Sequence, residues 1–303
     1  MNFKPLCFLI ILLSPLFLPA QKTDKVLQKK LEQALTGFNG DVGIYVKNLK
    51  NGKIAAINAD TIFPTASMVK VPIMIGVMDK IEKGELTYEQ ELIYKDSLLY
   101  EGEDILGSFK EGEKIRLNKV MMLMLTMSDN TASLWLQSLA GTGSHINEIM
   151  AGLGMKSTRV NSRTPNREND WRIYGWGQTT PREMATLLEM IMKNQIISPA
   201  ASHRMARNLG RNFWDDVALS EIPPYEKVIS KNGAVNASRS EVLLVTGAKS
   251  QYVFCITTKN NKDVSWENDN EAWVLSRKVS QLLWNYFEPK SKWIKPTGTE
   301  KFN

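Results

Sequence analysis

The chain is poor in the residues that build metal centres and covalent staples. Its 303 residues include 2 Cys and 2 His. A zinc site needs three or four clustered Cys, His or carboxylate ligands, so no resident metal is expected. Cys7 falls in the apolar N-terminal run. Without that run Cys255 is the single thiol, and an internal disulfide is excluded. Cys255 lies in Tyr252-Val253-Phe254-Cys255-Ile256, which reads as a strand with a buried structural thiol. Clustered charge is missing too. Lys and Arg number 38, Asp and Glu 32, and the resulting +6 is spread along the chain. That pattern gives no footprint for nucleic acid. No internal repeat is present, and no second hydrophobic stretch reaches membrane length. With 43% hydrophobic and 23% charged residues, the composition is that of a globular protein.

The N-terminus is different. Lys4 precedes an apolar stretch from Leu6 to Leu18, broken at Ser14-Pro15, and Pro19-Ala20 puts a small residue before Gln21. Residues 1–20 read as a secretory signal peptide, which implies a secreted or periplasmic protein with no membrane attachment after cleavage. An uncleaved anchor is the alternative.

Periodicity divides the remainder. Lys22 to Phe38 has a helical period, and Asp41 to Asn58 reads as a hairpin turning at Asn51-Gly52. Ser67 to Lys83, Asn118 to Met127, Thr131 to Leu139 and the run opened by Thr180-Pro181 read as helices. Lys227 to Val235, Ser240 to Thr246 and Gln251 to Thr258 form an antiparallel meander, followed by a helix over Asn270 to Phe287. The expected fold is α+β: an antiparallel sheet flanked by helices, with an inserted all-helical lobe. One catalytic domain is expected over 21–290. Its sheet lobe covers 21–63 and 206–290, its helical lobe 64–205, and 291–303 form a flexible tail. A cleft is expected between the lobes.

Three short motifs stand out. In Ser67-Met68-Val69-Lys70 the Ser and Lys lie one turn apart on a helix face. A helix N-terminus favours developing negative charge, and a desolvated Lys has its pKa brought toward neutrality. The plain alternative is an N-cap Ser and a surface Lys. Ser128-Asp129-Asn130 stands between apolar helices, where it also suits a turn and a new N-cap. Lys231-Asn232-Gly233 follows Val228-Ile229-Ser230, and a Gly in a strand often marks close approach of another backbone or a ligand.

In this order the three resemble the signature of the serine penicillin-recognising enzymes, and the chain looks like a class A β-lactamase. Gln178-Thr179-Thr180-Pro181-Arg182-Glu183 and the residues flanking the other motifs strengthen the likeness. It runs from Asp41 to the last helix. The resemblance implies a β-lactam substrate, a Ser67 acyl-enzyme, no cofactor and, for a small exported hydrolase, a monomer. It makes Lys70 the group that assists Ser67, Ser128 the proton relay to the lactam nitrogen, and Lys231 the electrostatic support around Ser128. Asn130 would hold the substrate amide. Asn232 and Arg239 would meet the substrate carboxylate. Gly233 leads to Ala234, whose N–H would join that of Ser67 in the oxyanion hole.

The chain also departs from that family. The deacylating Glu lies about 36 residues after the Ser of Ser-Asp-Asn and about 17 before the Pro of Thr-Thr-Pro. Both counts land on Thr164, which cannot act as a base. Glu168 is the nearest Glu and the expected base, provided the loop takes a different path. Asp170 is a second carboxylate on that loop. Otherwise Glu168 pairs with Arg163 or Arg167, no carboxylate reaches the water, and the chain is a slow-deacylating, D-Ala-D-Ala peptidase-like protein. His145 and His203 read as surface residues, and Trp171, Tyr174 and Trp176 as either cleft wall or packing.

Overall fold

A computed structural model describes residues 22–102 and 104–302. The expected leader, 1–20 with Cys7, lies outside them. Helix α1 (Lys25–Ala34) leads into the hairpin β1 (Asp41–Asn48) and β2 (Ile54–Ile57). After β3 (Phe63–Pro64) a 3-10 turn, Ala66–Val69, runs directly into α2 (Lys70–Glu82). Next come β4 (Glu91–Ile93), β5 (Lys114–Arg116), α3 (Leu117–Met122), α4 (Asn130–Leu139) and α5 (Thr142–Gly152). Then β6 (Arg159–Val160), α6 (Glu168–Tyr174), β7 (Gly177–Thr179), α7 (Pro181–Met192) and α8 (Pro199–Leu209) complete the middle of the chain. The end is β8 (Lys227–Val235), β9 (Ser238–Thr246), β10 (Gln251–Lys259) and α9 (Glu271–Phe287).

Five strands form one antiparallel sheet in the order β2-β1-β10-β9-β8. Period-2 alternation sends its side chains into two cores. Ile44, Val46, Leu243, Val245, Phe254 and Ile256 face α1 and α9, where they meet Leu27, Leu31, Leu275 and Leu283. Tyr45, Val242, Leu244, Val253 and Cys255 face the other way, toward α2, α4 and α7. Cys255 is therefore inert: burial pushes its thiol well up. Helix α2 is apolar on all sides and buried from Lys70 to Asp79, as a helix at the centre of a lobe must be. This is the expected architecture, and it sets the edge strand β8 beside the turn that carries Ser67.

Three segments carry detail beyond the periodic elements. Gly141 (φ 87°) and Thr142 (φ 70°) make a sharp junction and α5 begins at once. His145 lies on α5, with Nε2 2.9 Å from Asp79 Oδ2 on α2, as a strut between helices. The 163–171 loop contains the start of α6. The tail is fastened at Lys295, whose Nζ donates to Ser220 Oγ (2.7 Å) and Glu221 Oε1 (2.9 Å).

Candidate active site

Ser67 sits in the 3-10 turn ahead of α2. It is not an N-cap: no side chain caps either the turn or α2. Its Oγ instead lies 2.9 Å from Lys70 Nζ. Ala66 holds a left-handed backbone (φ 45°) beside it, strain of the kind stored at functional sites. Ser128 is left-handed as well (φ 60°), where a π-helical turn, Leu123–Met127, ends. Asp129 then caps α4, its Oδ1 accepting from Ala132 N at 2.7 Å. Together these features aim Ser128 and Asn130 back at α2.

Lys70 joins the two motifs. Its Nζ is 3.0 Å from Ser128 Oγ, 2.5 Å from Ser128 O and 2.9 Å from Asn130 Oδ1, as well as on Ser67. The side chain has no exposed surface. Burial brings the amine down to about 7, against the opposing charges of Asp104 and Asp129. Near neutrality a large share of Lys70 is therefore a free amine able to accept a proton from Ser67.

Strand β8 closes the site from the sheet side. A Cβ on Gly233 would come within 2.5 Å of Ser67 N and 2.9 Å of Thr65 O. Only glycine allows that approach, as the strand glycine suggested. Lys231 is fully buried and its amine is pushed well down, first by burial and next by the Lys70 ammonium. Its Nζ donates to Asn232 O (2.9 Å) and Asn232 Oδ1 (3.0 Å), with no hydrogen bond to Ser128. Behind it Glu241 is buried, accepts from Ala218 N (2.8 Å) and Leu219 N (3.3 Å), and is pushed up to about 7 by burial.

Ser67 opens into two adjoining cavities of about 550 and 710 Å³, the size range of small-molecule sites. Ser128, Asn232, Gly233 and Arg239 line the larger; Asn130 and Ala234 line both. Tyr174 and Trp176 wall the smaller, together with Tyr100, whose ring meets Trp176 edge-on at 5.0 Å. Trp171 lies in a neighbouring cleft on the other side of Tyr100 and Trp176, which line both.

Two expected site residues are not brought into the expected roles. Glu168 is exposed at the start of α6 and lines, with Trp171 and Arg172, the neighbouring cleft, which shares the Tyr100 and Trp176 wall with the smaller cavity and does not include Ser67. Nor does it pair with a neighbouring cation: Arg167 takes Asp170 at 3.1 Å. The reason is the packing of the loop's first half. Thr164 is buried against Gly143, so closely that a Cβ there would overlap its Oγ1, and its own hydroxyl donates to Ser162 O. The loop is thus tied down onto α5 and not drawn over Ser67. Arg239, expected to meet a carboxylate, is 1% exposed. Its Nη1 donates to the carbonyls of Val235, Asn236 and Ser238 and its Nη2 to that of Ser265, between the rings of Trp266 and Trp273 at 4.6 and 4.7 Å. It braces the β8–β9 turn. Asp104 and Glu241 were not singled out from sequence, because neither sits in a motif; both act through tertiary contacts.

An apolar-cored α+β fold with a serine hydrogen-bonded to a buried lysine, between a sheet edge and a helical lobe, is that of the serine β-lactamases and penicillin-binding proteins. The chain belongs to the β-lactamase enzyme family, whose model matches residues 25–287. It is 23% identical over 273 residues to β-lactamase VEB-1 of Pseudomonas aeruginosa, covering 86% of this chain and 90% of that one. Among solved structures it is similar to a PBP-A variant determined as an acyl-enzyme complex with penicillin G (25% identity, TM-score 0.79, 90% of this chain and 100% of that one). It also resembles an ancestral class A β-lactamase (19% identity, TM-score 0.74, 86% and 100% covered), which supports the fold.

Proposed function

We propose that the protein is a serine hydrolase that opens β-lactam rings through an acyl-enzyme on Ser67. The observation that carries this reading is the buried Lys70 amine in contact with both Ser67 Oγ and Ser128 Oγ. The neutral amine takes the Ser67 proton as Oγ attacks the lactam carbonyl. The N–H groups of Ser67 and Ala234 stabilise the oxyanion, a contribution of ~3 kcal/mol per donor in such sites. The C–N bond then breaks and the Ser128 hydroxyl passes a proton to the departing nitrogen. The Lys231 amine holds Asn232 Oδ1 and so orients the Asn232 amide to donate to the substrate carboxylate, while Asn130 holds the substrate amide. VEB-1, named a β-lactamase, and the PBP-A variant determined as an acyl-enzyme with penicillin G support the substrate class. The apolar N-terminal run supports export as the setting, and no helix among the described residues is long and apolar enough to cross a membrane.

A second reading rests on the position of Glu168. With Thr164 turned onto α5 and Glu168 exposed, no carboxylate of the 163–171 loop lines either cavity at Ser67. A missing general base costs roughly 10²–10⁴-fold. The acyl-enzyme then turns over slowly, as in a D-Ala-D-Ala peptidase-like penicillin-binding protein. Mass spectrometry after mixing with penicillin tests both. An adduct on Ser67 that decays supports hydrolysis, and one that persists supports the second reading. No adduct at all, with Ser67 intact, overturns both.

A further inference from the structure

Asp104 lies on the loop between β4 and β5, outside every motif. Its Oδ2 accepts from the backbone N–H groups of Asn130 (2.9 Å) and Thr131 (2.8 Å) and from Thr131 Oγ1 (3.3 Å). It therefore satisfies the first donors of α4 from outside the helix, beside the cap that Asp129 makes to Ala132. The same seam continues. Leu106 N donates to Asp129 Oδ2 at 2.9 Å and Tyr100 N to Thr131 Oγ1 at 3.1 Å, so Tyr100 and Leu106 are pinned across the start of α4. What the seam holds still is Asn130, whose Oδ1 is on Lys70, and Asp104 lines the same cavity as Ser67 and Ser128.

The charges facing Lys70 can be named. Asp104 comes from the loop, Asp129 from the start of α4, and Lys231 from β8; Lys231 is faced in turn by Glu241 of β9. We propose that Asp104 is a positioning residue for the Ser67–Lys70 pair: it fixes Asn130 from outside α4 and supplies negative charge facing the Lys70 amine. The proposal builds on the reading of Ser67 as the acylated group, but its first test does not need that reading. With Glu168 turned away, Asp104 and Asp129 are the carboxylates that offset the desolvation of Lys70. Without the Asp104 charge, the amine loses its proton at lower pH.

The Lys70 titration can be followed by NMR on protein labelled at lysine Cε, with Lys70→Arg to assign the signal. Asp104→Asn keeps an oxygen for the backbone donors and removes the charge. Its Lys70 midpoint should fall by about half to one pH unit, as a unit charge several ångströms away across a partly screened path requires. Asp104→Ser, a second neutral cap, should do the same and serves if the Asn variant does not fold. Asp104→Glu should restore most of the midpoint, which a purely structural role would not predict. The rising limb of penicillin acylation against pH should move with the midpoint. A Lys70 midpoint unchanged in the neutral variants would overturn the proposal. A shifted midpoint in a protein that penicillin never labels would instead overturn the function and leave this inference standing.

Discussion

At Lys70 burial and the charges of Asp104 and Asp129 act in opposite directions on a single proton. Burial brings the amine to about 7, so it is mostly protonated below neutrality and mostly free above. If it takes the Ser67 proton, the rate of acylation by penicillin should rise through about pH 7 and level off above it; stopped-flow acylation across pH checks this. A rate that fell over that range would contradict the role. Lys70→Met should lower acylation by roughly 10²–10⁴-fold, the usual worth of a general base. Glu168→Gln should leave the lifetime of the acyl-enzyme unchanged, because Glu168 lines the neighbouring cleft and neither cavity at Ser67. A lifetime lengthened tenfold or more would show that the loop swings over Ser67. Much of this site was legible in sequence. Ser67, Lys70, Ser128 and Asn130 are brought together because each lies at the end of an element, where position in the motif fixes position in space. The carbonyl partners of Arg239 and the packing of Thr164 on Gly143, which sets the course of the loop before Glu168, are tertiary contacts that motif spacing does not show.

Elements position these groups by close approach and by buried charge. Strand β8 can lie against the Ser67 turn only through Gly233. Gly233→Ala must push backbone against backbone, so it should lower the acylation rate by tenfold or more and lower Tm as well; near-parent values for both would mean that β8 yields. On the neighbouring strand, Glu241 joins β9 to the turn Ala218–Glu221. Its carboxyl is raised to about 7, above its ordinary value of 4.5. The native state therefore holds this proton more tightly than the unfolded chain. Its contribution to stability is fully present below about pH 4.5 and is lost as pH rises toward about 7. Glu241→Gln should leave Tm unchanged at about pH 4 and raise it by about 2–4 °C above neutrality, the shift expected for ~1 kcal/mol in a chain of this size. Equal Tm differences at both pH values would contradict the buried, titrating carboxyl. The strands themselves were readable, since Val, Ile, Tyr and Thr at period 2 are packed on both faces. Helices α5 and α6 were not: α5 opens on a strained Gly-Thr junction, and α6 has no buried residue to impose a period.

For the molecule as a whole, the sheet and the helical lobe share one core. Val242, Leu244 and Val253 of the sheet belong to the same cluster as Ile73 of α2, Leu136 of α4 and Leu188 of α7. The lobes should therefore unfold together, in a single calorimetric transition whose van't Hoff and calorimetric enthalpies agree; two resolved transitions would mean separable domains. The two walls of the cleft are thus faces of one packed interior. The central claim, that this interior holds Ser67 ready for acylation by a β-lactam, is tested most directly by following intact mass after mixing with penicillin G. The account predicts one equivalent of penicillin bound at Ser67 and none in Ser67→Ala. Unlabelled parent protein, or a label that survives in Ser67→Ala, would contradict it.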